Sequence, residues 1–370
     1  MRVLVTGGAG FIGSHLVDAL VREGHAVRVL DSFDPQVHGT QRPIYLNANA
    51  EYQDGDVRDR GALRTALKGV EVVFHEAAVV GVGQSMYEIE KYVSANSLGT
   101  AILLDVIVND RIPLKKLIVA SSMSIYGEGQ YACPACGPIA PALRPESQLK
   151  AHDWEMRCAA CGKTASPRPT SEIKPLIPTS IYAVTKRDQE ELCLSVGRSY
   201  GIPTVALRYF NVYGPRQALS NPYTGVCAIF SARIKNRRRP LVFEDGGQTR
   251  DFIHVRDIVQ ANLLVMREAR ADGGVFNVGT GVPVSIARIG QLLAELYRVP
   301  VQPELIRKFR AGDIRHCYAD ISKLTALGFN PSIDLEHGLR ELVEWGRDVR
   351  ADDRVEQATK ELESYGLTQG

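Results

Sequence analysis

The stretch VTGGAGFIGSH, Val5 to His15, constrains this chain more than any other. A short apolar run, RVLVTG, leads into it and an amphipathic run, FIGSHLVDALVREG, leads out. Gly7, Gly10 and Gly13 therefore stand between a strand and a helix at G-x-x-G-x-x-G spacing. Glycines there permit a sharp turn and close backbone approach, and the helix start beyond offers free N–H groups to a pyrophosphate. AVRVLD, VEVVFHEAA and LKKLIVASS read as further buried parallel strands, and Gly24 stops the first helix. PTVALRYFN and GVFNVGTG carry the pattern past the middle of the chain. The alternation predicts an α/β fold, a doubly wound parallel (Rossmann) sheet.

Length and charge narrow the function classes. The 370 residues allow a large core, and the net charge of +2 gives no electrostatic reason to expect a nucleic-acid or membrane partner. No apolar run reads as membrane-spanning, and the N-terminus runs straight into a strand, so no leader is expected and the location is cytoplasmic. The seven cysteines are an odd number, which disfavours a disulfide frame in such a reducing compartment.

A glycine turn alone is weak evidence for a dinucleotide site. Here Asp31 follows Gly13 by 18 positions, at the end of the second strand. A carboxylate there accepts both ribose hydroxyls and repels a 2′-phosphate, favouring NAD over NADP. Gly7, Gly10, Phe11, Ile12 and Gly13 are the expected pyrophosphate contacts, and Asp56 and Val57 in GDVRD fall where a loop meets the adenine. Further on, Tyr182 and Lys186 stand four apart in a helical pattern and share a face. General-base work near neutrality requires the phenol's pKa of ~10 to fall by roughly 3 units, about 4 kcal/mol. A neighbouring ammonium and a cationic nicotinamide ring supply such an attraction. Ser122 in ASSMSIYGEG sits at the carboxyl end of a strand, where open α/β sheets place their sites, and its hydroxyl can donate to a substrate oxygen that gains charge.

These residues together resemble the extended short-chain dehydrogenase/reductase family, and within it the nucleotide-sugar epimerases and dehydratases. The resemblance runs from Met1 to about Arg350, interrupted by one insertion. It implies cofactor contacts from Ala77 in HEAA and Asn96 in SANSLGT, joined by Tyr182 and Lys186. It implies sugar contacts from Val82 in VGQS, Ser122 and Ser124, and a nucleoside diphosphate held by Asn211, Phe243, Arg250, Arg310 and Asp313. Two arginines suit a pyrophosphate through forked, charge-assisted hydrogen bonds. The domains that follow are residues 1–128 with 163–210 and 252–280 for NAD, 129–162 as an insertion, 211–251 with 281–350 for the nucleotide sugar, and 351–370 as a polar tail. Family dehydratases carry an acid pair directly after the serine; this chain has Met123 and Ser124. The remaining set of Ser, Tyr, Lys and NAD suffices for 4-epimerisation through a transient 4-keto sugar, of a dTDP-L-rhamnose-type or UDP-hexose substrate. A 4-keto-sugar reductase and a catalytically idle NAD sensor are the alternatives. The family also implies a homodimer through the helices after Asn96 and Tyr182, and a pocket tuned near Cys317.

The insertion carries Cys133-x2-Cys136 and, after 21 residues, Cys158-x2-Cys161. Two such pairs on tight turns, with Gly137 and Gly162 following, resemble a zinc ribbon with structural zinc. Redox pairs and inert thiols are the weaker readings, and His152 is a spare ligand candidate. Lying between Ser122 and Tyr182, the insertion is expected to overhang the sugar pocket.

Overall fold

The computed structural model describes residues 1–310 and 312–369. Its centre is a parallel sheet of β1 (Arg2–Thr6), β2 (Ala26–Asp31), β3 (Glu51–Asp54), β4 (Val72–His75), β5 (Lys116–Ser122), β6 (Thr204–Tyr209) and β7 (Val275–Val278). Their order is β7-β6-β5-β4-β1-β2-β3, with Val3 opposite both Val27 and Val72. The order reverses between β1 and β4, and the crevice at that switch point is where such sheets bind ligands. Helices cover both faces because successive side chains alternate. Val3, Val5, Phe74 and Ile118 pack with the helices Phe11–Arg22 and Val255–Arg267. Leu4, Val73, Leu117 and Val119 pack on the other side with Leu103, Leu104, Ile107 and Cys193.

The helix Ile181–Tyr200 carries Tyr182 and Lys186. Ser180 caps its start, accepting from the Ala183 N–H at 3.1 Å, and Gly201 ends it in the left-handed region. A buried ion pair fixes it on the sheet. Arg208 of β6 donates to Glu190 through Nε at 3.0 Å and Nη2 at 2.5 Å, and Ser121 of β5 donates to the same carboxylate at 2.6 Å. The guanidinium also donates to the Tyr126 hydroxyl at 2.8 Å.

Several elements differ from expectation. Residues Ile89–Asn109 form one long helix whose Val93–Leu98 stretch is π-helical. That helix is long and apolar enough to cross a bilayer by length and composition, but its Leu103, Leu104, Val106 and Ile107 are core residues against the sheet. The apolar run AILLDVIV, suited to an interface or to core packing, thus goes largely to the core. The edge strand Glu51–Asp54 is polar and partly exposed, so no hydrophobic pattern marks it. The Thr249–His254 strand pairs with Asn211–Tyr213, Pro283–Ser285 and His316–Cys317 instead of joining the large sheet, so the substrate lobe extends past 251. The insertion's strand Gln130–Cys133 pairs with Gly137–Ile139 and with Ser166–Arg168, carrying the insertion beyond 162. The supposed polar tail folds as the helix Val355–Ser364 and a strand, Thr368–Gln369, paired with Phe309–Arg310.

Two predictions follow from the core. Arg208→Met leaves the Glu190 carboxylate buried without its cation and should destabilise the protein by about 3–5 kcal/mol in denaturant titration. Burial also pushes the imidazoles of His75 and His254 down to about 3. Both are neutral when folded, so their contribution is full above pH ~6.5 and is lost as pH falls from there toward 3. Urea midpoints measured across that window should fall steadily with acidification, by up to about 1.4 kcal/mol per pH unit for each histidine.

Candidate active site

A cleft of about 760 Å³ runs from the glycine turn, across the carboxyl ends of β4 and β5, into the second lobe. Gly7, Gly10, Phe11, Ile12 and Gly13 line one end. Gly7 has φ +70°, and a Cβ on it would lie 2.8 Å from the Ala77 backbone; a Cβ on Gly13 would lie 2.3 Å from the Gly7 carbonyl. Only glycine fits either place. The helix beyond begins at Phe11 with no side-chain cap, so its first N–H groups are left for a ligand. Asp31 accepts from the Ala9 N–H and the Phe33 N–H, each at 2.9 Å, which aims the carboxylate and leaves lone pairs for ribose hydroxyls. Asp56 and Val57 line the same end. Asp56 is already bound by Arg58, which donates to both oxygens and holds the carboxyl below its ordinary range.

At the centre, Tyr182 is 9% exposed and Lys186 4%. The Lys186 ammonium donates to the Ala120 carbonyl at 2.8 Å, and burial lowers its pKa to about 8 against the opposing pull of Glu76. The Tyr182 phenol lines the cleft with it. Burial pushes it up to about 12, and the opposing influence comes from the Ser122 hydroxyl rather than from Lys186. The chain alone keeps this phenol protonated at neutrality. Ser122 accepts from the Ser124 N–H at 3.2 Å and the Ser124 hydroxyl at 2.9 Å. With both lone pairs engaged, its own proton is free to be donated into the cleft.

The second lobe supplies the far end. Arg250 donates to the carbonyls of Thr249, Arg315 and Ile314 at 2.8, 3.0 and 2.7 Å, which fixes its guanidinium. Arg310 stacks on Phe243 at 4.5 Å and donates to Asp313 at 2.8 Å. Asn211 Oδ1 and Gln248 Oε1 are buried without a partner among the described residues, and both residues line the cleft. Acceptors left in this state at a cleft wall suit a polar ligand.

The structure brings nearly all the expected residues to this one cleft: Ala77, Val82, Ser122, Ser124, Asn211, Phe243, Arg250, Arg310 and Asp313 line it with the turn. Two expected positions lie off it. Asn96 is fully buried in the π-helical stretch; its amide donates to the Val79 carbonyl and Thr185, and its carbonyl accepts from the Val79 N–H. It holds the backbone of Val79, which does line the cleft. Cys317 is buried behind the wall with Met123, Tyr126 and Phe210.

The insertion also lies elsewhere than expected. None of residues 125–178 is among those lining the cleft. The insertion backs the wall from outside: Arg144 makes a two-pronged bond to Glu244 at 3.0 and 2.8 Å, and Glu155 accepts from Arg315. Its four cysteine sulfurs lie within 4.8 Å of one another, and none is in a disulfide. Backbone N–H groups of Ala135 and Cys136 point at Cys133 Sγ and pull that thiol down to about 6. His152 stacks on Trp154 and is not part of the cluster.

Sequence reasoning missed two contributors. Val355, Ala358 and Leu362 of the C-terminal helix line the cleft, and Leu362 packs against Gly83. Val355, Ala358 and Leu362 recur at helical spacing, which was the available signal. Glu76 also lines the cleft, inside the stretch HEAA.

The sequence profile of the NAD dependent epimerase/dehydratase family matches residues 3–145 and 158–279, breaking inside the cysteine insertion. The chain belongs to this family. It is 35% identical over 348 residues to a dTDP-L-rhamnose 4-epimerase of Burkholderia thailandensis, covering 93% of this chain and 94% of that one. Among solved structures it resembles a UDP-glucose 4-epimerase of Thermotoga maritima with UDP-glucose, at TM-score 0.76, 32% identity and 94% and 99% coverage of the two chains. It also resembles a UDP-glucuronic acid 4-epimerase of Bacillus cereus in complex with UDP-glucuronic acid and NAD, at TM-score 0.78, 28% identity and 95% and 100% coverage.

Replacing Ser122 with Ala should leave cofactor binding intact and lower kcat by about 10²–10³, read in a coupled assay of sugar interconversion.

Proposed function

We propose that this chain is an NAD-dependent nucleotide-sugar 4-epimerase, inverting C4 of a dTDP-L-rhamnose-type or UDP-hexose substrate through a 4-keto sugar. The observation that carries it is the single cleft that joins the glycine turn and Asp31 to Tyr182, Lys186 and Ser122, and these to Arg250 and Arg310. Met123 and Ser124 leave no acid directly after Ser122, which favours epimerisation over water elimination.

The chain's own residues do the following. Arg250, Arg310 and Phe243 anchor the nucleoside diphosphate, so binding energy is gathered away from the reacting carbon. Ser122 donates to the C4 oxygen and Tyr182 takes its proton. Bound NAD would supply a hydride acceptor and donor for C4, and a positive charge to oppose the burial that raises the phenol to about 12. Lys186 is held by the Ala120 carbonyl, one helical turn beyond Tyr182. Once the sugar has turned about its anchored phosphate, the returning hydride would meet the opposite face of C4, and Tyr182 gives the proton back to the C4 oxygen. The chemistry needs no nucleic acid or membrane.

The cysteine cluster supports a structural zinc. Tetrahedral thiolates at about 2.3 Å from the metal stand about 3.8 Å apart, and the four sulfurs fall within 4.8 Å as they are. Free thiols throughout the described residues support a reducing, cytoplasmic setting. Metal would order the insertion, and Arg144 and Glu155 would pass that order to Glu244 and Arg315 behind the nucleotide wall. Exposed Val93, Leu98 and Val184 on the two long helices support a homodimer, which light scattering tests.

Incubation of the purified protein, without added cofactor, with UDP- and dTDP-hexoses should invert C4 by NMR, and Tyr182→Phe should lower the rate at least about a hundredfold. No inversion with any sugar of the panel would refute the assignment. Cys133→Ser with Cys136→Ser should release zinc, measured by elemental analysis, and raise KM several-fold with a smaller change in kcat.

A further inference from the structure

Glu76 lines the cleft beside Ser122, Tyr182 and Lys186 and has no part in the steps above. Its backbone follows β4 and donates to the Thr6 carbonyl at 3.2 Å. Its side chain reaches across the end of β5 to β6, where the Tyr209 hydroxyl donates to Oε1 at 2.8 Å. Neighbouring strands are about 4.8 Å apart, so a side chain spanning β4 to β6 places its carboxyl level with Ala120–Ser122. Asn262 Nδ2 donates to the same Tyr209 hydroxyl at 2.7 Å. An amide nitrogen only donates, so Tyr209 must give its own proton to Glu76. The oxygen facing Tyr209 is therefore an acceptor in every protonation state.

A dinucleotide laid from the glycine turn to Tyr182 passes over this residue. A Cβ on Gly7 would lie 3.1 Å from the Glu76 carbonyl carbon, so the turn and the Glu76 main chain are immediate neighbours, while the carboxyl lies on the β5 side of β4. The end of β4 lies between β1, which carries the turn, and β5, which carries Ser122.

We propose that the Glu76 carboxylate is a positioning residue for charge: it favours the oxidised, cationic nicotinamide over the reduced, neutral one. The inference rests on the NAD-dependent reading above. Oxidation at the sugar moves two electrons and a hydrogen to the ring and a proton to Tyr182, and the return step reverses both. The ring's charge changes by one unit, so a fixed negative charge acts on the difference between the two forms. Its effect is to drive the hydride back onto the keto sugar before that intermediate escapes, which a single-site epimerase requires.

Burial pushes the Glu76 carboxyl up to about 7, against the pull of the Tyr209 hydroxyl from β6 and the Lys186 ammonium from the catalytic helix. The helix Val255–Arg267 contributes only neutral Asn262, through Tyr209. The bias toward the oxidised cofactor accordingly grows as pH rises through neutrality.

The test is binding of NAD+ and of NADH, measured separately by calorimetry on stripped wild type, Glu76→Gln and Glu76→Leu at about pH 6 and about pH 8.5. At the higher pH the wild type should prefer NAD+ over NADH about tenfold more than either variant does. That extra preference should shrink at the lower pH in the wild type alone. Variants given a substrate sugar should also accumulate reduced cofactor. A preference that agrees within twofold among all three proteins at both pH values overturns the assignment while leaving the epimerase reading intact. A wild type that binds neither form overturns both. Should the two variants not fold, Tyr209→Phe removes a donor to the carboxylate and should move the wild-type pH crossover upward; an unmoved crossover refutes the proposal.

Discussion

The buried pair between Glu190 and Arg208 is the contact on which the site depends. It ties the helix that carries Tyr182 and Lys186 to the two strands that carry Ser121 and Tyr209. Without it the helix that carries both the phenol and the ammonium would lose its buried anchor to the strand that carries Ser122. Such a pair is costly to bury and costlier to break, so it specifies one placement of the helix over others nearby. The Lys186 bond to the Ala120 carbonyl then fixes the rotation of that helix about its axis.

The remaining electrostatics divide the cleft by task. At the dinucleotide end, close backbone approach and one aimed carboxylate are what matter, and Gly7, Gly13 and Asp31 supply them. At the far end, charge matters, and each arginine is held by its neighbours, Arg310 by Phe243 and Asp313 of the cleft wall. Arg250 is fixed by three carbonyls, two of them from Ile314 and Arg315. The Arg315 side chain is in turn held by Glu155, Glu244 and Asp245. The cysteine insertion thus reaches the substrate wall through a chain of buried ion pairs without entering the cleft. It backs the wall from outside, where an overhang of the sugar pocket was expected.

Protonation in the centre is a property of the assembled site. Tyr182 and Lys186 on a shared helix face suggested a phenol lowered by its neighbour. In the folded chain burial dominates, and the phenol is pushed up to about 12 while the ammonium falls to about 8. Burial penalises the charged form of each group, and the lone chain has too little positive charge nearby to reverse it. A cationic ring bound in the cleft would oppose that penalty, and base strength would then follow cofactor occupancy.

The sequence by itself determined the doubly wound sheet, the glycine turn, Asp31, the Ser122–Tyr182–Lys186 set and the paired cysteines. Each rests on local chemistry: a period of two or 3.6, a turn that only glycine fits, or ligands at short spacing. It did not determine that Asn96 faces the Val79 loop, that Cys317 lies behind the wall, or that the C-terminal helix lines the cleft. Nor did it mark Glu76, one letter inside a strand-end motif, as a carboxylate reaching across β5 to Tyr209. Those facts depend on which strand ends stand side by side and on which face of each element meets another. They are set by contacts between residues as far apart as Glu76 and Tyr209, and no local pattern records such contacts before the chain has packed.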